Sequence, residues 1–324
     1  MIISRTPFRI SLAGGGSDLP EYYRTEPGCV TAFTINKYMY ITVNARFDHS
    51  LRVGYSKMEI VDTVDELQHP LVKAALKYVG IIHGLEITSM ADIPGQTGIG
   101  SSASFLVGLL NALYAFKGVH ASADRLAREA CEIEMDILKE PVGKQDQYMA
   151  AFGGLRHLEF NSDETVYASP IVCSAKTRDE LIRHLQLYYT GVSRPAASVL
   201  TEQKAQTNAN RQLLDEMVNQ GREIRDILHR GTRLSSIGEI LHRGWELKRQ
   251  LAHNVSNLGI DDCYDRAIKA GALGGKILGA GGGGFLLVFV EWQNQPIVRE
   301  SLSDMKPIQF SFEQQGSRII YVSD

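Results

Sequence analysis

Polar and apolar positions along the chain change period several times, and each change marks an element. Ile2–Leu12 alternates loosely and predicts a strand. Val30–Ile35 and Met39–Ala45 are β-rich runs, with Asn36 and Lys37 read as the turn between them. Leu71–Tyr78 predicts a helix, Leu85–Met90 a strand, Phe105–Phe116 an apolar helix, and Ser122–Leu138 a second long helix. Gly153–Phe160 returns to strand, and a polar stretch, Asn161–Thr165, follows.

The second half is richer in helix. Thr177–His184 reads as helical and Leu185–Thr190 as a strand. Ala196–His229 has the length and period of one long helix, with Leu213, Met217, Ile224 and Leu228 on one face. Ser235–His253 is expected to pair with it. Asp262 can cap a helix through Ala270, which Gly271, Gly274 and Gly275 then break before Lys276–Ala280 leads into a glycine run. Phe285–Val290, a helix near Pro296–Met305 and a strand at Ser317–Val322 close the chain. Together these elements give an α+β protein of two lobes, residues 1–170 and 171–324, with the boundary between Asn161 and Thr177.

Composition narrows the function. At 324 residues with 44% hydrophobic content the chain can bury a full core. Lys plus Arg at 34 against Asp plus Glu at 37 gives a net charge of −3, which excludes a global basic field for nucleic acid or an anionic membrane. Cys29, Cys131, Cys173 and Cys263 are scattered and lack zinc-site spacing, so free thiols in a reducing cytoplasm are expected. The longest apolar run, Phe285–Val290, is too short to span a membrane. The nine histidines form no HExxH or Ser/His/Asp arrangement. The expected partner is a small molecule, and the sequence leaves a homodimer open.

The candidate chemistry begins at Pro94–Ser104, PGQTGIGSSAS, where a loop of small and hydroxylated residues enters the apolar helix. Glycines at Gly95, Gly98 and Gly100 remove Cβ atoms that would keep a phosphate from the backbone, and the first free N–H groups of a helix attract an anion. Thr97, Ile99, Ala103 and Ser104 belong to the same stretch. Ser101 and Ser102 stand where a hydroxyl can cap the helix, bond a phosphate oxygen or coordinate Mg²⁺. A GxxxxGK[ST] loop is excluded, because Ile99 and Gly100 precede Ser101 where a lysine would be needed. Gly95–Gly100 also lacks the dinucleotide fingerprint GxGxxG.

Two further segments complete a pattern: RTPFRISLAGGGSDLP from Arg5 to Pro20, and KILGAGGGGFLLVFV from Lys276 to Val290. In this order and spacing the three resemble the GHMP kinases, which include galactokinase, homoserine kinase, mevalonate kinase and phosphomevalonate kinase. The resemblance spans nearly the whole chain. It implies an N-terminal lobe with a βαβ unit, a ferredoxin-like C-terminal lobe and a substrate cleft between them. It also implies MgATP as the phosphoryl donor and an alcohol group as the acceptor.

Site residues follow from the same resemblance. Asp146, in GKQDQYMAAFGG, matches the aspartate that serves as catalytic base in sugar-kinase members. Arg9 stands where galactokinases carry an arginine, and it would stabilise charge on the base and the transferring group. Glu134, 12 residues before Asp146, lies at the offset of the galactokinase Mg²⁺ ligand, with Ser102 as the second ligand. Glu132 is the rival, since the two glutamates occupy different faces of a helix. Asp18 matches a sugar-hydroxyl acceptor, flanked by Gly15, Gly16 and Ser17. Gly14, Gly15 and Gly16 replace the Gly-Glu-His run of galactokinase, which argues against a galactose-like hydroxyl pattern. Gly281 and Gly282 are the expected contacts of the late loop.

Taken with YTGVSR and GGKILGAGGGGF, these segments resemble the D-glycero-D-manno-heptose 7-phosphate kinase branch, with L-fucose kinase domains as near neighbours. That branch implies phosphorylation of the anomeric C1 hydroxyl to the 1,7-bisphosphate, for capsule, lipopolysaccharide and related surface glycans. Lys144 and Arg194 are the candidates for holding the substrate's 7-phosphate. The alternatives are an L-fucose-type sugar 1-kinase and a non-catalytic binder of ATP and sugar.

Overall fold

The computed structural model of the protein describes residues 1–192 and 196–323. Strands β1 (Ile2–Ala13), β2 (Gly28–Ala45), β3 (Leu51–Gly54), β4 (Met58–Val61), β5 (Leu85–Ala91), β6 (Leu155–Phe160) and β7 (Val166–Pro170) build the N-terminal sheet. They are joined by β12 (Phe312–Glu313) and β13 (Arg318–Val322), which return from the far end of the chain. The main order is β13-β1-β2-β5-β3-β4, with β12 and β6 also on β2 and β7 on β6. Its helices are α1 (Pro20–Tyr23), α2 (Pro70–Val79), α3 (Ser101–Phe116), α4 (Ala123–Cys131) and α5 (Gln145–Phe152). The pair β3 and β5 is parallel and is connected through α2, which supplies the expected βαβ unit. Helix α3 is apolar on all sides, and its residues Ala103–Tyr114 are buried at the centre of the lobe.

The C-terminal lobe contains α6 (Ala175–His184), β8 (Leu185–Tyr189), α7 (Ala196–Gln206), α8 (Arg211–Arg230), α9 (Ser235–Lys248) and α10 (Leu258–Lys269). After them come β9 (Ala272–Ile277), β10 (Phe285–Val290), α11 (Gln295–Ser301) and β11 (Lys306–Pro307). Its four strands lie in the antiparallel order β11-β8-β10-β9, so that in chain order they read 4-1-3-2. This is the ferredoxin-like arrangement.

Four expectations change. Asn36 and Lys37 do not turn the chain: β2 continues through them for 18 residues, and the register against β1 slips between Pro7 and Phe8. Asn36 instead exchanges hydrogen bonds with Ser311 as the chain returns. The single helix over Ala196–His229 is two, because the backbone turns at residues 207–210 and Asn210 donates its side-chain amide to the Leu251 carbonyl. That break lets α7 lean over the cavity while α8 packs on the N-terminal sheet through Leu214, Met217 and Val218. Gly274 and Gly275 lie within β9, where a Cβ would meet the Gly238 carbonyl at 2.0 Å and the Leu287 carbonyl at 2.3 Å. Finally, β12 and β13, far beyond the boundary expected near residue 170, pair with the N-terminal sheet.

Candidate active site

A cavity of about 370 Å³ lies between the lobes, walled by the ends of β1 and β9, the starts of α3 and α5, helix α7 and the glycine run. One turn of chain organises much of it. At the start of α5, Gln145 donates its side-chain amide to Asp18 at 3.0 Å, Asp146 faces Arg9, and Gln147 donates to Glu134 at 2.5 Å. The two glutamines that flank Asp146 thus fix two further carboxylates, Asp18 and Glu134, drawn from other parts of the sequence. Gly143, just ahead of them, admits Asp18: a Cβ there would lie 2.0 Å from its Oδ2.

Arg9 reaches from β1 and binds Asp146 in a fork, Nε to Oδ1 and Nη2 to Oδ2 at 2.7 Å each. Its Nη1 donates to the Gly98 carbonyl at 2.6 Å, tying the pair to the loop before α3. Asp146 keeps 27% of its side chain exposed toward the cavity, whereas Arg9 is buried behind it. Such a carboxylate can take a proton from a hydroxyl placed before it, while the guanidinium steadies the charge.

The loop entering α3 sorts its residues by depth. Gly98, Gly100, Ser101, Ser102 and Ala103 line the cavity. Thr97, Ile99 and Ser104 are buried beneath it and hold its shape: Thr97 caps the Pro94 carbonyl at 2.9 Å, the Ile99 carbonyl accepts from the Arg9 backbone, and Ser104 donates to the Pro7 carbonyl. Pro94 and Gly95 lie outside the cavity wall. Gly98 has φ +80, and a Cβ there would stand 2.4 Å from the Leu278 carbonyl, so the phosphate-type loop and the late glycine loop meet backbone to backbone.

Helix α4 ends in a π-helical turn over Glu132–Ile137, and that turn separates the two candidate glutamates. Glu132 points outward to the Tyr78 hydroxyl. Glu134 is buried in the cavity wall and accepts from Ser102 Oγ at 2.5 Å. Burial pushes its carboxyl up to about 7, against the hydrogen bonds from Ser102 and Gln147 and with further upward pressure from Asp146. A buried carboxylate held high in this way suits a cation. Among the described residues no cluster of three or more His, Cys, Asp and Glu side chains could hold a metal. Two protein oxygens, from Ser102 and Glu134, fit Mg²⁺, which keeps waters and takes phosphate oxygens for the rest.

Asp18 is buried, with Oδ1 accepting from the Gly16 backbone at 3.0 Å. Burial, and then the charge of Asp146, raise its carboxyl above the ordinary range. Gly15, Gly16, Leu19, Leu200, Met217 and Leu251 continue this end of the cavity as a mostly apolar surface.

Comparison with known proteins bears on this geometry. The sequence pattern of the GHMP kinases N-terminal domain matches residues 68–154, and that of the GHMP kinases C-terminal domain matches residues 224–307. The chain belongs to the GHMP kinases. It is 27% identical over 97% of both chains to the D-glycero-alpha-D-manno-heptose 7-phosphate kinase of Campylobacter jejuni. It is 28% identical to the L-fucokinase/L-fucose-1-P guanylyltransferase of Bacteroides fragilis, aligning 95% of this chain with 36% of that longer protein. Its fold matches the crystal structure of a D-glycero-D-manno-heptose 1-phosphate kinase from Bacteriodes thetaiotaomicron, with a TM-score of 0.84, 24% identity and full coverage of both chains.

Within this GHMP kinase site, several assignments need correction. Lys144 faces away from the cavity: its ammonium is buried against the Tyr23 ring and bonds Glu164 Oε2 at 2.6 Å, so its charge is already matched. Ser17 is also structural, its hydroxyl donating to the Gly14 carbonyl at 2.7 Å and accepting from the Cys29 N–H at 3.0 Å below the surface. Gly281 lines the cavity, but the Gly282 N–H is taken by the Val255 carbonyl at 2.8 Å. Arg194 lies outside the described residues. No pattern in the sequence marks Gln145 or Gln147, which flank Asp146. Nor does the sequence mark Lys248 and Lys276 as ligands, although both line the cavity.

Proposed function

We propose that the protein is an ATP-dependent sugar kinase that phosphorylates the anomeric C1 hydroxyl of D-glycero-D-manno-heptose 7-phosphate, giving the 1,7-bisphosphate. The observation that carries this reading is the Arg9–Asp146 fork, exposed to the cavity and tied through Gly98 to the loop that begins α3. Full-length similarity to the Campylobacter jejuni enzyme supports the choice of sugar.

In this reading the ATP phosphates lie against Gly98, Gly100 and the first N–H groups of α3. Asp146 accepts the proton of the C1 hydroxyl as its oxygen bonds to the γ-phosphorus and the bond to ADP breaks. Arg9 balances the negative charge that Asp146 and the transferring group share. Asp18, steadied by Gln145 and Gly16, accepts sugar hydroxyls. Ser102 and Glu134 would hold Mg²⁺, which neutralises phosphate charge when bound. Such a product would serve surface-glycan synthesis in the cytoplasm.

The second reading, an L-fucose 1-kinase, draws on the Bacteroides fragilis relative. A phosphoryl-transfer assay over the heptose 7-phosphate, L-fucose, mannose 6-phosphate and sedoheptulose 7-phosphate separates them. The highest kcat/KM is expected for the heptose 7-phosphate, and preference for fucose would overturn the assignment. Asp146→Asn should lower kcat by about 10³-fold with ATP binding intact. No turnover of any sugar by the wild type would leave only a binding role.

A further inference from the structure

Two buried lysines of the C-terminal lobe face the same cavity without a counter-charge among the described residues. Lys248 ends α9 and Lys276 lies in β9, and each is about nine-tenths buried, with 6% and 7% exposed. Lys248 Nζ donates to the Ile277 and Gly279 carbonyls at 2.9 and 2.5 Å. Lys276 Nζ donates to the Leu12 carbonyl at 3.2 Å. An ammonium has three N–H donors, so one remains on Lys248 and two on Lys276.

No carboxylate among the described residues pairs with either ammonium. The charges that act on Lys248 are those of Lys276 and Arg9, both positive, and Arg9 already has its partner in Asp146. Burial first, and this repulsion second, hold Lys248 well below the usual lysine range, and burial with Arg9 brings Lys276 down to about 8. Carbonyl oxygens orient the two groups but leave the charge uncompensated. Taking an ammonium out of water without an opposite charge costs the fold stability. Their presence in a cavity wall therefore calls for an anion from outside. Three open donors on two cations suit a phosphate group, with its terminal oxygens and charge near −2.

We propose that Lys248 and Lys276 form a phosphate subsite on the C-terminal wall of the cavity. It takes a phosphoryl group of a bound substrate, either the γ-phosphoryl of the nucleotide or the phosphate of the sugar. Only the choice between these two sources rests on the kinase reading; the subsite itself would bind phosphate in an inactive protein as well.

The test compares the wild type with Lys248→Met, Lys276→Met and Lys248→Arg in chloride buffer. Inorganic phosphate is titrated with saturating ADP present to occupy the loop before α3, and with no nucleotide as a control. Thermal unfolding should show a saturable rise in Tm with phosphate for the wild type and Lys248→Arg. In the Met variants the apparent phosphate affinity should fall at least tenfold, with a phosphate-free Tm equal to or above that of the wild type. A lowered phosphate-free Tm with an unchanged phosphate response would instead make the lysines carbonyl clamps and overturn the subsite. If one Met variant does not fold, the other and Lys248→Gln carry the comparison.

Kinetics then name the source. A KM increase of tenfold or more for the phosphorylated sugar alone assigns the subsite to the sugar phosphate. An equal loss of kcat with phosphorylated and unphosphorylated sugars assigns it to the transferring group. Unchanged KM and kcat overturn the proposal. A phosphate response without kinase activity would keep the subsite and remove the kinase reading.

Discussion

On the N-terminal side of the cavity, Asp18, Asp146 and Glu134 already have protein donors in place, whereas Lys248 and Lys276 opposite them have backbone carbonyls and no counter-charge among the described residues. The first wall is organised before any ligand arrives. Its carboxylates are aimed by side chains that are themselves held, which lowers the reorganisation needed when charge moves. The second wall keeps its charge unmet, so it gains most when a ligand fills it. A two-lobed kinase site can thus divide its work: one lobe fixes the geometry of proton and phosphoryl transfer, and the other rewards occupancy.

The largest break in this comparison comes from Arg9→Met. It removes the fork on Asp146 and the tie to Gly98 together, and leaves a carboxylate facing the cavity with no cation behind it. A loss of about 10²- to 10³-fold in kcat is expected, with the sugar KM little changed, read by steady-state kinetics. A loss below tenfold would mean that the N-terminal wall is not the organised half.

Glu134 gives the next largest effect, and its sign is fixed by linkage. Its folded carboxyl stands at about 7 against 4.5 in the unfolded chain, so between those values the folded protein keeps a proton that the unfolded chain has lost. Metal-free protein is therefore favoured below pH 4.5 and loses this contribution, on the order of 3 kcal/mol, as pH rises to 7. Thermal unfolding in chelator should show the decline in the wild type and a flatter profile in Glu134→Gln. Added Mg²⁺ should raise Tm at neutral pH in the wild type only. Identical pH profiles would remove Glu134 as the buried, cation-seeking group.

What could be read from the sequence divides along the same line. Arg9, Asp146, Glu134 and the residues that begin α3 could be proposed from the sequence because each belongs to a local pattern or a fixed spacing from one, and the structure brings them to one cavity. The choice between Glu134 and Glu132 was open at that level, because it depends on a π-helical turn that helical periodicity does not reveal. Lys144 looked like an anion ligand from its place beside Asp146, yet its direction is set by Glu164, 20 residues away on the β6–β7 turn. Lys248 carried no signal at all: a lysine at a helix end is ordinarily solvated, and only tertiary packing buries this one. The return of β13 to β1 was hidden for a similar reason, since the strand was legible and its partner, over 300 residues away, was not.

Gly98 tests the seam between the two walls. Alanine there would need φ near +80 and would bring Cβ to 2.4 Å from the Leu278 carbonyl, so a loss of about 2 kcal/mol in stability is expected. Gly95, in the same motif, has open space around its Cβ position, and Gly95→Ala should fall within about 0.5 kcal/mol of the wild type. Denaturant unfolding of both variants checks the contrast. Equal effects would mean that the motif's glycines serve the phosphate alone and not the contact between loops.

The smallest effects should separate two neighbouring glutamines. Gln147 holds Glu134 and Gln145 holds Asp18, so the same chemical change on one helical turn should appear in different kinetic constants. Gln147→Ala is expected to raise the Mg²⁺ concentration for half-maximal activity about tenfold, with kcat recovered at saturating metal. Metal binding measured by calorimetry on the resting protein should weaken in parallel, which a purely structural defect would not produce. Gln145→Ala should leave the metal requirement alone and raise the sugar KM instead, because Asp18 loses a donor at the sugar end. If both variants move the same constant, the three carboxylates behave as one coupled cluster, and the division of the N-terminal wall into metal, base and sugar positions fails.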